Sequence, residues 1–92
     1  MKVQNITSNN GNKIANQFII TDDEGVKYFQ SYKSIIAKLI EYDSFNRVEL
    51  DKKYWNYSNT TGKYRNIFLN ETIKDTRAKI KSGEYILTDL NK

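Results

Sequence analysis

Apolar and polar residues alternate along the first thirty positions as they do in half-buried β-strands. Three strands are predicted, at residues 2–7, 14–21 and 26–30. In the second strand we expect Ile14, Phe18 and Ile20 to share one face and Ile19 to lie on the other, because successive side chains of a strand point in opposite directions.

Turn residues separate these strands. The Asn10-Gly11 pair tolerates the positive φ angles of a tight hairpin, and Gly25 can supply a left-handed residue after the acidic residues 22–24. These three carboxylates lack the ligand spacing of a calcium loop, so we interpret them as turn residues that accept backbone N–H bonds. The first thirty residues therefore predict a three-stranded meander.

The apolar residues that follow recur at steps of three and four, which is the spacing of one helix face. They are Tyr32, Ile35, Ile36, Leu39 and Ile40. With Ser31 as the N-cap, they predict an amphipathic helix that covers the sheet. Residues 43–46 break this pattern, and alternation over residues 47–51 predicts a fourth strand with Val48 and Leu50 inward.

Residues 54–69 combine the only Trp with three Tyr and several hydroxyl and basic residues. A helix here would carry an apolar stripe of Tyr54, Tyr57, Thr61, Tyr64 and Phe68 and a polar stripe of Asn59, Lys63, Asn66 and Asn70. Ser58 is the expected N-cap of a helix that ends near residue 70. Gly62 is a weak point inside it, which costs about 1 kcal/mol relative to Ala.

A last helix is predicted from the Thr72 and Asp75 pair, which forms an approximate capping box, to Gly83 at its C-terminal end. We expect Ile73, Thr76, Arg77 and Ile80 to form its inner face. Residues 84–89 then form a final strand. The sequence predicts one α+β domain over residues 1–92, with an antiparallel sheet of four or five strands, two or three helices and the element order βββαβααβ.

Composition restricts the chemistry of this protein of 92 residues. It contains neither Cys nor His, so a thiol nucleophile, a thiolate metal site and the commonest proton shuttle near neutral pH are all excluded. We therefore expect no enzymatic activity and no cofactor. No apolar run reaches the length of a membrane helix or a secretion signal, which leads us to expect a soluble protein without a membrane partner.

Positive charge is concentrated in the second half of the chain. The net charge is +4, and residues 52–92 hold nine basic and four acidic residues. An anionic partner would explain this asymmetry, because Lys and Arg raise the local concentration of phosphate groups. Such an asymmetry is also common among ordinary soluble domains, and a solvated surface is the preferred interpretation.

Thr60-Thr61-Gly62-Lys63 is similar to the end of a phosphate-binding loop, but the match fails. Residue 64 is Tyr where a hydroxyl residue of the Ser or Thr type is needed, and Tyr57 occupies the position of the earlier glycine. Nucleotide hydrolysis is thus not indicated. Hydroxyls and backbone amides at a helix N-terminus, with cations nearby, remain able to hold a phosphate without chemistry.

Aromatic and basic residues interleave from residue 52 to residue 66, a pattern typical of nucleic-acid binding through stacking and phosphate contacts. The candidate binding residues are Lys52, Lys53, Trp55, Asn59, Lys63, Arg65 and Asn66. If the Tyr stripe faces the core, only Trp55 and the cations remain available to DNA or RNA. The same residues then describe a charged surface.

Four segments resemble a family of small uncharacterised proteins from tailed bacteriophages. They are NQFII at residues 16–20, FQSY at 29–32, LDKKYWNYSNTTGKYRNIFL at 50–69 and KIKSGEY at 79–85. The resemblance covers most of the chain from about Ile14. It implies a phage accessory protein, active in the host cytoplasm, that inhibits or redirects a host protein or a protein–nucleic acid complex by stoichiometric binding.

Three functions are therefore left open by the sequence: a host-takeover or anti-defence inhibitor, a small basic nucleic-acid-binding protein, and a binder of an anionic nucleotide signal. The inhibitor is the preferred hypothesis because of the resemblance, and all three are non-enzymatic. The sequence leaves the oligomeric state undetermined.

Overall fold

The computed structural model describes residues 1–92 and contains six strands and two helices. In chain order they are β1 (Lys2–Thr7), β2 (Lys13–Thr21), β3 (Lys27–Ser31), β4 (Ser34–Glu41), β5 (Asn46–Asp51), α1 (Asn59–Leu69), α2 (Ile73–Ser82) and β6 (Tyr85–Thr88). The predicted α+β class is confirmed, whereas the number of strands exceeds the four or five expected.

All six strands form one sheet in the order β1-β2-β3-β4-β5-β6. Each neighbouring pair from β1 to β5 is antiparallel, but β6 pairs with β5 in parallel. The sheet is therefore mixed and not antiparallel as predicted. Parallel neighbours need a crossover connection, and α1 and α2 together supply it.

The helix predicted over residues 32–40 is wrong, because this segment is strand β4. Phe29 pairs with Ala37 while Gln30 pairs with Ile35, so Ile36 is an extra residue in the ladder between β3 and β4. At this bulge both Ile36 and Ala37 are buried. The bulge interrupts the alternation of the strand and produces apolar spacings of three and four, which the sequence pattern attributed to a helix.

One face assignment in the second strand is also wrong, because Ile14 lies on the face of Ile19, whereas Phe18 and Ile20 share the other face as predicted. Asn16 has a φ of 64°, and β2 holds extra residues opposite the end of β1. The side-chain amide of Asn5 spans this irregularity by donating to the carbonyls of Ile14 and Gln17. As a result Ile14 and Ile19 pack against the same core, while Phe18 lies on the opposite face.

The predicted caps and the turn at Gly25 are confirmed, but the tight hairpin predicted at Asn10-Gly11 is wrong, because residues 8–12 connect β1 to β2 and only Gly11 of this pair has a positive φ. Gly11 and Gly25 both adopt positive φ angles, and the carboxylate of Asp22 accepts hydrogen bonds from the amides of residues 24 and 26. Ser58 caps α1 and Thr72 forms a capping box at the start of α2. Neither helix has the length and apolar composition required to cross a membrane.

The core lies between one face of the sheet and the two helices. Its buried members are Ile6, Phe29, Ile36, Ala37, Val48, Leu50, Tyr64 and Tyr85. Helix α1 contacts the centre of the sheet at β3 and β4, where Phe68 stacks on Phe29 at a centroid distance of 5.9 Å. Helix α2 packs beside β6. Both helices thus cover the same face of the sheet.

Candidate anion-binding site

The turn between β5 and α1 is organised by the carboxylate of Asp51. Its Oδ2 accepts from the amides of Lys53 and Tyr54, and its Oδ1 accepts from the amide of Leu90. Burial by itself would raise the pKa of Asp51, but these hydrogen bonds and one from Asn91 hold the pKa below its usual value. Asp51 is therefore ionised near neutral pH and connects the turn to the C-terminal segment at Leu90.

Helix α1 begins at Asn59, so the first two residues of the predicted apolar stripe lie outside it. Tyr54 and Tyr57 precede it, and Tyr57 is 45% exposed with its ring edge-on to Tyr54 at 5.4 Å. The C-terminal part of the predicted stripe is confirmed: Thr61 and Tyr64 are buried, and Phe68 packs against the core.

Arg65 is the largest fully buried side chain of the protein, with 1% of its surface exposed. Nη1 donates to the carbonyl oxygen of Trp55 at 2.7 Å and to Oδ1 of Asn56 at 3.0 Å, and Nη2 donates to Oδ1 of Asn66 at 3.0 Å. Its guanidinium also lies over the Trp55 ring at 5.4 Å. None of these contacts is a carboxylate, so the buried positive charge has no ion-pair partner.

This environment lowers the pKa of the Arg65 guanidinium. Burial lowers the pKa of the guanidinium, and the more distant charge of Glu71 opposes that effect while Arg77 adds to it. Burying a charge without a paired counter-ion costs free energy. An anion that reached the guanidinium would recover part of that cost.

A groove of about 490 Å³ opens beside this guanidinium, and we call it the Arg65 groove. Its nine lining residues are Asn56, Ser58, Asn59, Gly62, Lys63, Arg65, Asn66, Ile73 and Arg77. Three of them are cations, five are small or amide residues, and none is Asp or Glu. The groove therefore combines positive potential with neutral hydrogen-bonding groups.

Helix α1 supplies most of this groove because its N-terminal half faces it. Oγ of Ser58 accepts from the amide of Thr61, and the carbonyl of Ser58 accepts from the amide of Gly62. The positive end of the helix dipole adds to the potential of the three cations. Helix α2 supplies the other wall through Ile73 and Arg77.

Four of the seven predicted binding residues line the Arg65 groove: Asn59, Lys63, Arg65 and Asn66. Trp55 is half-buried beneath the guanidinium of Arg65 and is not part of the lining. The exposed Lys52 and Lys53 line a separate cavity of about 250 Å³ next to Asp51. The predicted residues are thus divided between two neighbouring surfaces.

Sequence reasoning missed three polar lining residues, namely Asn56, Ser58 and Arg77, as binding groups. Arg77 was assigned to the inner face of the last helix, where it is the only charged residue among Ile73, Thr76 and Ile80. A cation in such a position is a signal that this edge of the helix faces a polar environment, since an unpaired charge is rarely buried in a core.

A larger cavity of about 620 Å³ lies between the β4–β5 hairpin, the helix junction and Tyr85. Its buried carboxylate, Glu71, already accepts hydrogen bonds from Thr76, Lys79 and Tyr85. Because Glu71 and Lys79 are already paired with each other, the buried charge of this cavity has a counter-ion, unlike that of the Arg65 groove.

Comparison with known proteins gives one match. A model of a family of unknown function, DUF8033, matches residues 1–86. The chain belongs to this family. No curated protein and no solved structure matches the chain. Membership accounts for nearly the whole chain and assigns no chemistry, so the function has to be inferred from the geometry of the site.

Proposed function

We propose that this DUF8033 protein binds single-stranded nucleic acid without catalysing a reaction, and that the Arg65 groove holds backbone phosphates. The observation that carries this proposal is the buried guanidinium of Arg65, which has hydrogen-bond partners but no carboxylate. Phosphate oxygens are strong acceptors for guanidinium groups. Lys63 and Arg77 bring two further cations to the same groove.

Aromatic side chains beside the groove favour a polynucleotide over a free nucleotide. Lys53 lies over the Tyr54 ring at 5.3 Å, and Tyr54 contacts the exposed ring of Tyr57, which precedes α1. A strand whose phosphates enter the groove would find Tyr57 available for stacking on a base. Base stacking on aromatic side chains is worth about 1–3 kcal/mol per base.

The test measures binding of a labelled single-stranded oligonucleotide by fluorescence anisotropy as a function of salt. The variant Lys63→Ala/Arg77→Ala removes the two exposed groove cations. If each cation contacts one phosphate, the negative slope of the logarithm of the binding constant against the logarithm of the salt concentration becomes shallower by about 1.4. Trp55 is the only tryptophan and lies against Arg65, so its intrinsic fluorescence provides a second readout.

The matched control is Lys74→Ala/Lys81→Ala, which removes the same charge from exposed positions of α2 outside the groove. We expect it to retain at least most of the affinity. Equal losses in the two double variants would attribute binding to net charge alone. No binding by the unaltered protein at low salt would overturn the proposal.

An inhibitor of a host protein is the second candidate, as the phage resemblance implies. It is favoured by the tip of the β4–β5 hairpin, where Tyr42 and Phe45 stack at 4.8 Å and are 49% and 60% exposed. Aromatic side chains are enriched at binding hot spots. A pull-down from host lysate, with and without nuclease, distinguishes the two: a partner retained after nuclease but lost in Phe45→Ala supports inhibition.

A further inference from the structure

One face of the sheet carries apolar side chains that no element of the chain covers. Both helices belong to the connection between β5 and β6 and pack on the opposite face, where the core lies. We call the uncovered side the open face. Its apolar residues are Val3, Phe18, Ile20, Tyr28, Ile35, Ile40 and Ile86, of which Val3 and Ile86 are the most exposed.

Strand pairing arranges part of the open face as a row with one residue from each strand. The pairs Val3↔Ile20, Ile20↔Tyr28, Tyr28↔Lys38, Lys38↔Glu49 and Glu49↔Ile86 connect all six strands. From β3 to β6 the row reads apolar, positive, negative, apolar. A two-fold rotation reverses this order, so that in two copies placed face to face each positive residue meets a negative one and each apolar residue meets an apolar one.

The two charges at the centre of this row do not form an ion pair with each other. Nζ of Lys38 lies over the Tyr28 ring at 5.8 Å and has no carboxylate partner. Glu49 contacts Nε of Arg47 at 3.2 Å. Lys38 is therefore available to a carboxylate from outside the chain.

We propose that two copies of this chain pack open face to open face, about a two-fold axis that runs parallel to the strands between β4 and β5. Each Lys38 then faces Glu49 of the second copy, and each Tyr28 faces Ile86. Face-to-face sheets pack about 10 Å apart with interdigitated side chains. The interface is isologous, as in most homodimers.

This arrangement overlaps strands β3 to β6 of the two copies and leaves β1 and β2 outside the overlap. The Arg65 groove lies on the helical side of each sheet and remains open in the dimer. The proposal does not depend on the ligand of the groove, and a dimer would present two grooves on opposite sides.

Sedimentation velocity over a range of protein concentrations tests the dimer. We expect the unaltered protein to form a dimer, and Ile86→Lys to be monomeric at the same concentrations. The control is Val3→Lys, which places the same charge on the other edge strand outside the overlap. It should dimerise normally. A monomeric unaltered protein at every concentration would overturn the proposal, whatever else covers the face.

Charge reversal tests the register. Lys38→Glu and Glu49→Lys alone each place like charges opposite one another and should raise the dimer dissociation constant about a hundredfold. In an equimolar mixture of the two variants, every opposing position again has opposite charges, so the heterodimer should form. Circular dichroism checks that each variant is folded. Failure of the mixture to associate, or dimerisation by either variant alone, would contradict the proposed register.

Discussion

Arg65 combines a buried position with a charge on which the proposed function depends. Its side chain is enclosed, yet two of its three hydrogen-bond acceptors are the side chains of Asn56, which is exposed, and Asn66, which is half-buried. These amides can return to water if the guanidinium is removed. The stability that Arg65 contributes is then small, because the lost hydrogen bonds are offset by relief of a buried, unpaired charge.

We predict that Arg65→Met, which keeps the length of the apolar stem, changes the free energy of unfolding by less than about 1 kcal/mol. Oligonucleotide binding should fall at least about tenfold, because a charge-assisted contact to phosphate is lost. Urea denaturation and anisotropy measure the two effects, with Lys81→Met as the control. A loss of several kcal/mol with unchanged binding would assign Arg65 a purely structural role.

At the scale of the element, α1 carries a glycine in a position where alanine would suit the helix better. A Cβ added at Gly62 would lie 3.6 Å from Nη2 of Arg65 and 3.6 Å from Oδ1 of Asn56, which is ordinary contact. Packing therefore does not require glycine here. The proposed function gives another reason, since a Cβ would occupy space that a bound phosphate would need near the helix backbone.

We predict that Gly62→Ala stabilises the protein by up to about 1 kcal/mol, the difference in helix propensity. The same variant should bind the oligonucleotide more weakly, because the added methyl group narrows the Arg65 groove. Thermal denaturation and anisotropy report the two changes. Exposed Thr60 in the first turn of α1 does not line the groove and provides a control through Thr60→Ala. A stabilised variant with unaltered affinity would show that Gly62 does not contact the ligand.

At the scale of the whole molecule, Glu71 connects the helix junction to the last strand. This carboxylate is buried and accepts hydrogen bonds from Thr76, from Nζ of Lys79 at 2.9 Å and from the hydroxyl of Tyr85 at 2.6 Å. Burial alone would raise the pKa of Glu71, but these three donors hold it below its usual value. The hydrogen bond to Glu71 raises the pKa of Lys79 to about 12, and burial together with the same carboxylate raises the pKa of Tyr85 to about 12.

These shifts predict how stability depends on pH. The lowered pKa of Glu71 stabilises the fold above the unfolded value of about 4.3, and this contribution is lost as the pH falls through the folded value. The raised pKa values of Lys79 and Tyr85 stabilise the fold below about pH 10, and their contribution is lost as the pH rises toward about 12.

We therefore expect Glu71→Gln to destabilise the protein near neutral pH and to approach the unaltered protein in stability as the pH is lowered below about 4. Urea denaturation at a series of pH values measures this convergence. Exposed Glu84 provides the control, since Glu84→Gln should leave the pH profile unchanged. A difference between Glu71→Gln and the unaltered protein that stays constant from pH 7 to acid would contradict the assignment.

Local chemistry made much of this fold predictable from sequence. The positive φ angles at Gly11 and Gly25, the cap at Ser58 and the capping box at Thr72 depend on residues within a few positions of one another. Strand β5 was predicted correctly because its alternation is uninterrupted, with Val48 and Leu50 buried. Four of the predicted binding residues share one groove because they lie close together on α1.

Tertiary structure decided the strand pairing, the register and the burial, which depend on residues distant in the chain. Pairing with β3 and β5 made residues 34–41 a strand in spite of their helical spacing, and the bulge at Ile36 is defined only by the register with β3. The parallel pairing of β6 required the completed crossover. Packing of α2 brought Arg77 to the Arg65 groove, and the contacts of Arg65 with Trp55 and Asn56 hold its buried guanidinium without a carboxylate. The sequence by itself determined turns, caps and basic character, since these are set by neighbouring residues, whereas burial and register arise only when distant segments meet.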